Sequence, residues 1–293
     1  MFSLSGKNAL ITGGGAVGSM GHAVALCLAR QGCNICLVDV DVDLFAAENN
    51  ATEQASPLDA AVASLSEFGR LTMGVRADCT QEKEVERAFS VAIAKLGSVD
   101  IAVACVGGGG LVKGKQVKTA GNYTDVADQT TEEYMKILST TQFSTYFTCR
   151  CAASHMRDRG QGGRIVIIGS VMANMAAKGS TAYSGSKAAI RQMGKVMANE
   201  LGGVGVTVNT IQPGWMQTKG EMRQTGKDDE YYQQQAASIP CQRMGTAMDI
   251  GAAVAFLASD EASYVNGACI DVDGGFTAAL ALPPPPASDA AKL

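Results

Sequence analysis

Apolar and polar positions along this 293-residue chain alternate between two periods. Short apolar runs of strand length fall at 8–11, 34–38, 71–77, 100–105, 164–168, 205–211 and 268–272, and most end in Gly, Asp or Thr. Between them the apolar residues recur every three or four positions, over 22–31, 58–68, 82–96, 131–156, 188–201 and 247–258. In the third of these, Val85, Ala88, Phe89, Ala92 and Ile93 form one stripe. Strand and helix taking turns throughout predict an α/β chain: a single-domain, doubly wound parallel sheet of about seven strands with helices on both faces. Three stretches stand outside the pattern. Residues 49–57 read as a loop. Residues 108–128 are polar and aperiodic, with Lys113, Lys115 and Lys118 close together, as in a solvated loop. A mixed segment at 216–240 has the place of a lid. No boundary divides 1–280, and 281–293, with four consecutive prolines, reads as a Pro-rich, flexible polar tail on a stiff spacer.

The chemistry lies where the strands end. The first strand runs into Thr12-Gly13-Gly14-Gly15-Ala16-Val17-Gly18-Ser19-Met20-Gly21, and a helix follows. Strand, glycine-rich turn and helix in that order make a Rossmann-type dinucleotide site, because glycines admit a pyrophosphate and a helix N-terminus offers it free N–H groups. The second strand ends at Asp39, 26 residues beyond Gly13, near the position of a ribose-binding carboxylate. A carboxylate accepts hydrogen bonds from ribose hydroxyls and repels a 2′-phosphate, and Val40 rather than a cation follows it. The expected cofactor is NAD.

The fifth strand leads into the stretch Gly169–Lys187, which holds Ser170, Tyr183 and Lys187. Tyr183 and Lys187 stand four apart and share a helix face. A phenol titrates near 10 and is a poor acid or base at neutral pH, but a neighbouring ammonium favours the phenolate and is expected to lower that value. Ser170 would hold a substrate oxygen at the strand's C-terminal end.

Taken together, Thr12-Gly13 with Gly21, Asp39, Asp78, Ser170, Tyr183-x-x-x-Lys187, Asn209, Pro213-Gly214 with Thr218, and Asp271-Val272-Asp273-Gly274-Gly275 make the chain from about residue 4 to 280 closely resemble the classical short-chain dehydrogenases/reductases. The resemblance implies hydride transfer between nicotinamide and an alcohol or carbonyl carbon. It makes Tyr183 the general acid/base and Ser170 the holder of the substrate oxygen. Lys187 would lower the tyrosine's pKa and hold the nicotinamide ribose, and Thr141 falls on the tetrad's asparagine position. The cofactor set it implies is Gly13, Gly15, Gly18, Ser19, Met20, Gly21, Asp39, Asp78 at the adenine, Cys79, Cys105, Gly107, Tyr183, Lys187, Pro213, Gly214, Met216 and Thr218. Substrate contacts would come from Ser170, Met172, Tyr183 and Trp215, with Asn174, Met175, Met216, Met222, Tyr231 and Tyr232 nearby. That apolar, adaptable set suits a hydrophobic secondary alcohol or ketone. Homotetramers or homodimers packed through the helices at 131–156 and 183–201 are the family's usual form. Three departures stand out. The first turn is two residues longer than Thr-Gly-x-x-x-Gly-x-Gly, Ala104-Cys105-Val106-Gly107 replaces Asn-Asn-Ala-Gly, and Thr141 keeps only the backbone carbonyl of the asparagine it replaces.

Composition narrows the rest. Hydrophobic residues at 46% and charged ones at 18% are those of a globular protein. A net charge of −4 leaves no basic footprint for a nucleic acid. No apolar run reaches spanning length, and residues 1–7 do not read as a signal peptide, so neither membrane nor export is expected. Nine cysteines and two histidines, without metal-ligand spacing, point to reduced thiols and no metal. Cys33 and Cys36, three apart on a strand, face opposite ways. The expected location is the cytoplasm; the terminal Ala291-Lys292-Leu293 resembles a peroxisomal address and leaves the peroxisome as the alternative. Two rival readings stay open: a nicotinoprotein whose NAD does not exchange, motivated by the long 41–69 crossover, and a catalytically idle NAD-sensing regulator.

Overall fold

The computed structural model describes residues 2–40, 56–107, 110–112, 115–117, 125–218 and 229–278. In chain order the elements are β1 (Asn8–Thr12), α1 (Met20–Arg30), β2 (Asn34–Asp39), α2 (Pro57–Ala63), β3 (Thr72–Arg76), α3 (Glu82–Leu96), β4 (Ile101–Ala104) and the short strands β5 (Gly110–Val112) and β6 (Lys115–Val117). Then come α4 (Thr131–Leu138), α5 (Ser144–Arg159), β7 (Gly163–Ile168), α6 (Thr181–Gly202), β8 (Val206–Pro213), α7 (Asp229–Ala236), α8 (Ala247–Ala258) and β9 (Cys269–Val272). Seven strands form one parallel sheet in the order β3-β2-β1-β4-β7-β8-β9, while β5 and β6 pair antiparallel by themselves. The sequence order thus reverses at β1 and β4, where open α/β sheets place their ligands.

Strands β1, β2, β4, β7 and β8 divide their side chains between two cores, because successive residues point to opposite faces. Ala9, Ile11, Ile35, Leu37, Ile101, Val103, Val166 and Ile168 pack on one face with α1, α2 and α8. Leu10, Cys36, Val38, Ala102, Ala104, Ile165, Ile167 and Val208 pack on the other with α3, α5 and α6. With both faces covered, the strands read as nearly continuous apolar runs. Each large side chain so buried contributes about 1.5–3 kcal/mol. Close packing of α8 on α1 depends on Gly251, where a Cβ would fall 2.6 Å from the Cys27 sulfur and 2.8 Å from the Ala23 carbonyl oxygen.

Local signals account for the element ends. Thr130 and Glu133 form a capping box at the start of α4, as Thr246 and Asp249 do at α8. The Arg243 guanidinium beside Asp249, together with Thr246, holds that carboxyl down at about 2. α5 stops at Gly160, whose left-handed backbone favours glycine.

Three expectations need correcting. The helix read at 58–68 is shorter: α2 ends at Ala63, where the Ser64 hydroxyl donates to the Ala61 carbonyl at 2.7 Å, and a separate 3₁₀ turn covers Ser66–Phe68. The aperiodic stretch 108–128 contains the β5–β6 pair; Lys113 and Lys118 lie outside the described residues. The helix read at 131–156 is two helices joined by a π turn, Ser139–Phe143, and the second runs on to Arg159. Hydroxyls drive this break by donating to carbonyls one turn back: Ser144 to Thr140 at 2.7 Å, Thr145 to Thr141 at 2.7 Å and Thr148 to Ser144 at 2.8 Å. Residues 41–55, Met222 within 219–228, and the tail from 279 lie outside the described residues.

All nine cysteines are free, and Cys33 and Cys36 lie in opposite cores. Among the described residues no helix is long and apolar enough to cross a membrane, and no group of three or more His, Cys, Asp or Glu side chains is placed to hold a metal ion.

Candidate active site

The sequence-assigned residues gather along the C-terminal edge of the sheet. Gly13 to Gly21 follow β1, Asp39 ends β2, Asp78 and Cys79 follow β3, Cys105 and Gly107 follow β4, Ser170 follows β7, and Pro213 ends β8 with Gly214 just after it. Parallel strands bring them together because every crossover returns the chain to the same end.

The glycine turn is tightly fitted. Gly13 has φ +78°, open to glycine at little cost, and a Cβ there would meet the Val106 nitrogen at 2.9 Å. A Cβ on Gly21 would fall 2.5 Å from the Gly13 carbonyl oxygen, so α1 seats directly on the turn. Ser19 caps α1, its hydroxyl accepting the His22 N–H at 3.2 Å, and Met20 and Gly21 are the first two helical residues. The amides of a first turn have no acceptor within their own helix. Asp39 accepts the Gly15 N–H at 2.8 Å and the Val40 N–H at 2.8 Å, which draws the turn to the end of β2. Asp78 accepts both the N–H (2.9 Å) and the hydroxyl (2.7 Å) of Thr80, and Cys79 is buried.

Across the edge, the Ser170 hydroxyl caps a 3₁₀ turn, Val171–Ala173, by accepting the Met172 N–H at 3.2 Å, and it lies beside the Tyr183 phenol, where it favours the phenolate. α6 begins at Thr181, so Tyr183 and Lys187 both lie on its first turns. The Lys187 Nζ stands 5.6 Å from the Tyr183 ring centroid and donates to the Ile168 carbonyl at 2.9 Å. Lys187 is 4% exposed, and burial brings its amine down to about 8. Cys105 lies close enough for the Lys187 ammonium to favour its thiolate, but burial dominates and holds the thiol up at about 12. A Cβ on Gly107 would come within 3.2 Å of the Lys187 Nζ, so the residue after β4 leaves room for the amine.

One expectation is reversed here. The Tyr183 phenol is raised above its ordinary value, because burial outweighs the Ser170 hydroxyl beside it. The Lys187 amine lies over the ring and donates to the Ile168 carbonyl.

Thr141 sits in the π turn, wholly buried; its carbonyl accepts the Thr145 hydroxyl, and its own Oγ1 has no partner. The apolar pieces differ in role. Trp215 is exposed and meets Phe276 edge-on at 6.2 Å, Met172 and Met216 are half-buried, and Asn174 and Met175 are exposed. Thr218 is half-buried at the end of that described stretch. Tyr231 packs against a small cluster in which Tyr232, Ile239 and Met244 are buried, so the Tyr232 ring serves packing. Sequence reasoning overlooked His22, which bonds both the turn and a residue of the next crossover. Its single signal was a histidine one place after Gly21.

This fold, with a glycine turn at its first crossover and a half-buried tyrosine over a buried lysine after its fifth parallel strand, defines a doubly wound nucleotide-binding class. The comparisons narrow it. A family model described as enoyl-(acyl carrier protein) reductase matches residues 15–277. Cyclohexanol dehydrogenase of a Rhodococcus species is 32% identical over 279 residues, 94% of this chain and 97% of the relative. 2-(S)-hydroxypropyl-CoM dehydrogenase 3 of Xanthobacter autotrophicus is 33% identical over 271 residues, 92% and 95% of the two chains. Among solved structures, a putative short-chain alcohol dehydrogenase from Sinorhizobium meliloti superposes with a TM-score of 0.80 at 26% identity, covering 95% of this chain and 99% of the other. A 7α-hydroxysteroid dehydrogenase complexed with NADH and 7-oxo glycochenodeoxycholic acid gives 0.78 at 29%, covering 93% and 95%. The chain belongs to the short-chain dehydrogenase/reductase family and is an oxidoreductase.

Proposed function

We propose that this enzyme interconverts a secondary alcohol and a ketone on a hydrophobic small molecule, using NAD as its hydride carrier and Tyr183 as general acid/base. The observation that carries the reading is the Ser170 hydroxyl beside the Tyr183 phenol, with the buried Lys187 amine over the tyrosine ring. In reduction, Tyr183 gives its phenolic proton to the carbonyl oxygen held beside Ser170; in oxidation it takes the alcohol proton back. The Lys187 ammonium favours the phenolate that proton donation leaves behind. NAD supplies the hydride acceptor, and its reduced form the donor. The names of the relatives above point the same way, since cyclohexanol, a 2-hydroxypropyl group and a 7α-hydroxysteroid are all secondary alcohols.

The residues present fit a dinucleotide. A Cβ on Gly15 would fall 2.6 Å from the Asp39 Cβ, so no side chain stands between the turn and the acid. Asp39 would hold the adenosine ribose, Asp78 and Cys79 the adenine side, and Gly13, Gly15, Gly18, Ser19, Met20 and Gly21 the pyrophosphate. Cys105, Gly107, Lys187, Pro213, Gly214, Met216 and Thr218 would line the nicotinamide half, and Met172 and Trp215 the substrate's apolar part. Titration calorimetry with NADH and separately with NADPH tests the reading. Strong NADH binding and weak NADPH binding are expected, and Asp39→Ala should cut that preference about tenfold or more, since one carboxylate supplies both an attraction and a repulsion. An unchanged ratio would remove Asp39 from the ribose site.

We assign 1–280 to the catalytic unit, with a lid at about 216–240, and 281–293 to a tail, and we place the enzyme in the cytoplasm. We also propose that copies pair through α4, α5 and α6. Phe143, Tyr146, Tyr134 and Met135 expose large apolar surface along the first two, and Val196 along the third. Light scattering should give a dimer or tetramer, and Tyr146→Glu should shift it to smaller species. A wild-type monomer would reject the assignment.

A further inference from the structure

One connection to the glycine turn from elsewhere in the chain runs through a histidine that the proton-transfer site does not use. His22 lies in the first turn of α1 and is 4% exposed. Its Nδ1 stands 3.3 Å from the Gly18 nitrogen and accepts that N–H, so Nδ1 carries no proton. Its Nε2 therefore does, and it donates to the Ser64 Oγ at 2.7 Å. The Ser64 hydroxyl passes its own proton on, to the Ala61 carbonyl at 2.7 Å. Every donor in this chain of bonds meets one acceptor. The His22 backbone N–H is tied as well, to the Ser19 hydroxyl that caps the helix. One side chain thus joins Gly18, in the turn, to the C-terminal end of α2, where Ser64 lies 42 residues beyond His22.

We propose that neutral His22 is a positioning residue for dinucleotide binding: it fixes Gly18, and with it the N-terminus of α1, in the shape that receives the pyrophosphate. The inference rests on the nicotinamide reading above and goes beyond it, since that reading gives His22 no part in holding nucleotide or substrate. A phosphate at a helix N-terminus is held by backbone N–H groups whose directions must converge. The glycines around them let the turn flex, and Gly18 itself has φ +84°. A rigid ring, anchored at its far nitrogen to α2, replaces the stiffness that glycine lacks.

Three variants separate this role from plain packing: His22→Phe keeps the ring volume and loses both bonds; His22→Asn places an amide oxygen near Nδ1 and can still accept from Gly18; His22→Gln reaches Ser64 and cannot serve Gly18. Calorimetric titration with NADH should show His22→Phe weakened about tenfold, His22→Asn recovered to within about threefold of wild type, and His22→Gln nearly as weak as the phenylalanine variant. Adenosine, which has no phosphate, should compete equally well in all four proteins. Wild-type NADH affinity in His22→Phe, no recovery in His22→Asn, or an equal loss for adenosine would each overturn the proposal. Should His22→Phe show no thermal unfolding transition without nucleotide, Ser64→Ala decides: NADH binding about threefold weaker supports the relay, and unchanged binding overturns it. If wild type binds neither NADH nor NADPH, the nicotinamide reading falls and takes this proposal with it. If wild type binds and the variants match it, only this proposal falls.

Discussion

Replacing Tyr183 by phenylalanine is expected to lower turnover of any alcohol or ketone substrate by about 10²–10⁴-fold, the range that a positioned general acid or base contributes. NADH affinity should fall by no more than about fivefold, the worth of one hydrogen bond. The change removes a single oxygen and keeps the ring, so the contacts of Tyr183 with Ile137 and Ala182 survive. Ser170 keeps its bond from the Met172 amide but loses the phenol oxygen beside it. The pH dependence of wild type carries the same argument. Burial holds the phenol above its ordinary range, so it stays protonated through neutrality. Ketone reduction should therefore be nearly flat with pH from about 6 to 7, and alcohol oxidation, which needs the phenolate, should climb over the same range. Loss of the Lys187 proton at about 8 then removes the charge that supports both. A Tyr183→Phe enzyme that keeps wild-type turnover would sink the proton-transfer role.

Lys187→Met is the second large effect, and it acts in opposite senses on function and stability. Turnover should fall about 10²-fold or more, because the charge that favours the phenolate is gone. Stability should change in a pH-dependent way. Lys187 titrates at about 8 in the folded protein, below the ordinary lysine value of 10.5. Between those two values the unfolded chain holds more protons than the folded one, so wild-type stability rises with pH across that window. Below about 8 the penalty of a buried ammonium is present in full. Methionine fills similar volume and has no such penalty, though it leaves the Ile168 carbonyl without its donor. The measurement is urea unfolding of both proteins at pH 7 and pH 10. The variant should gain most relative to wild type at pH 7 and lose that advantage by pH 10. Parallel stability curves would mean that the amine is not depressed.

Much of the fold could be read before any coordinates, and the reasons are local. Glu82–Leu96 and Ala247–Ala258 come out with the ends predicted, because the first has a clear apolar stripe, the second is apolar almost throughout, and both have definite punctuation: Gly97 after the first, Thr246 and Ser259 around the second. Tyr183 and Lys187 were legible as a pair, since helical spacing alone puts them on one face. What escaped depends on three-dimensional neighbours. The π turn arises from hydroxyls bonding to carbonyls one turn back, and a run such as Ser139-Thr140-Thr141 reads in sequence as merely polar. The direction of the Tyr183 shift is a matter of burial, which spacing does not report. His22 acquires its role from Ser64, far along the chain, and no periodicity links them.

The division of β1, β2, β4, β7 and β8 between two cores gives the chain something like a reading frame of two. Ile11 belongs to one core and Leu10 to the other, and the same holds for Ile35 and Cys36, Val103 and Ala102, Val166 and Ile167. Inserting or deleting one residue within any of these strands would exchange the two memberships for everything downstream in that strand. Leu10 would then turn to the face of α1 and α8, and Ile11 to that of α3 and α6. Core substitutions that keep volume are comparatively benign, so the sheet tolerates spelling changes far better than frameshifts. Length can vary freely only between elements, where no such frame is kept.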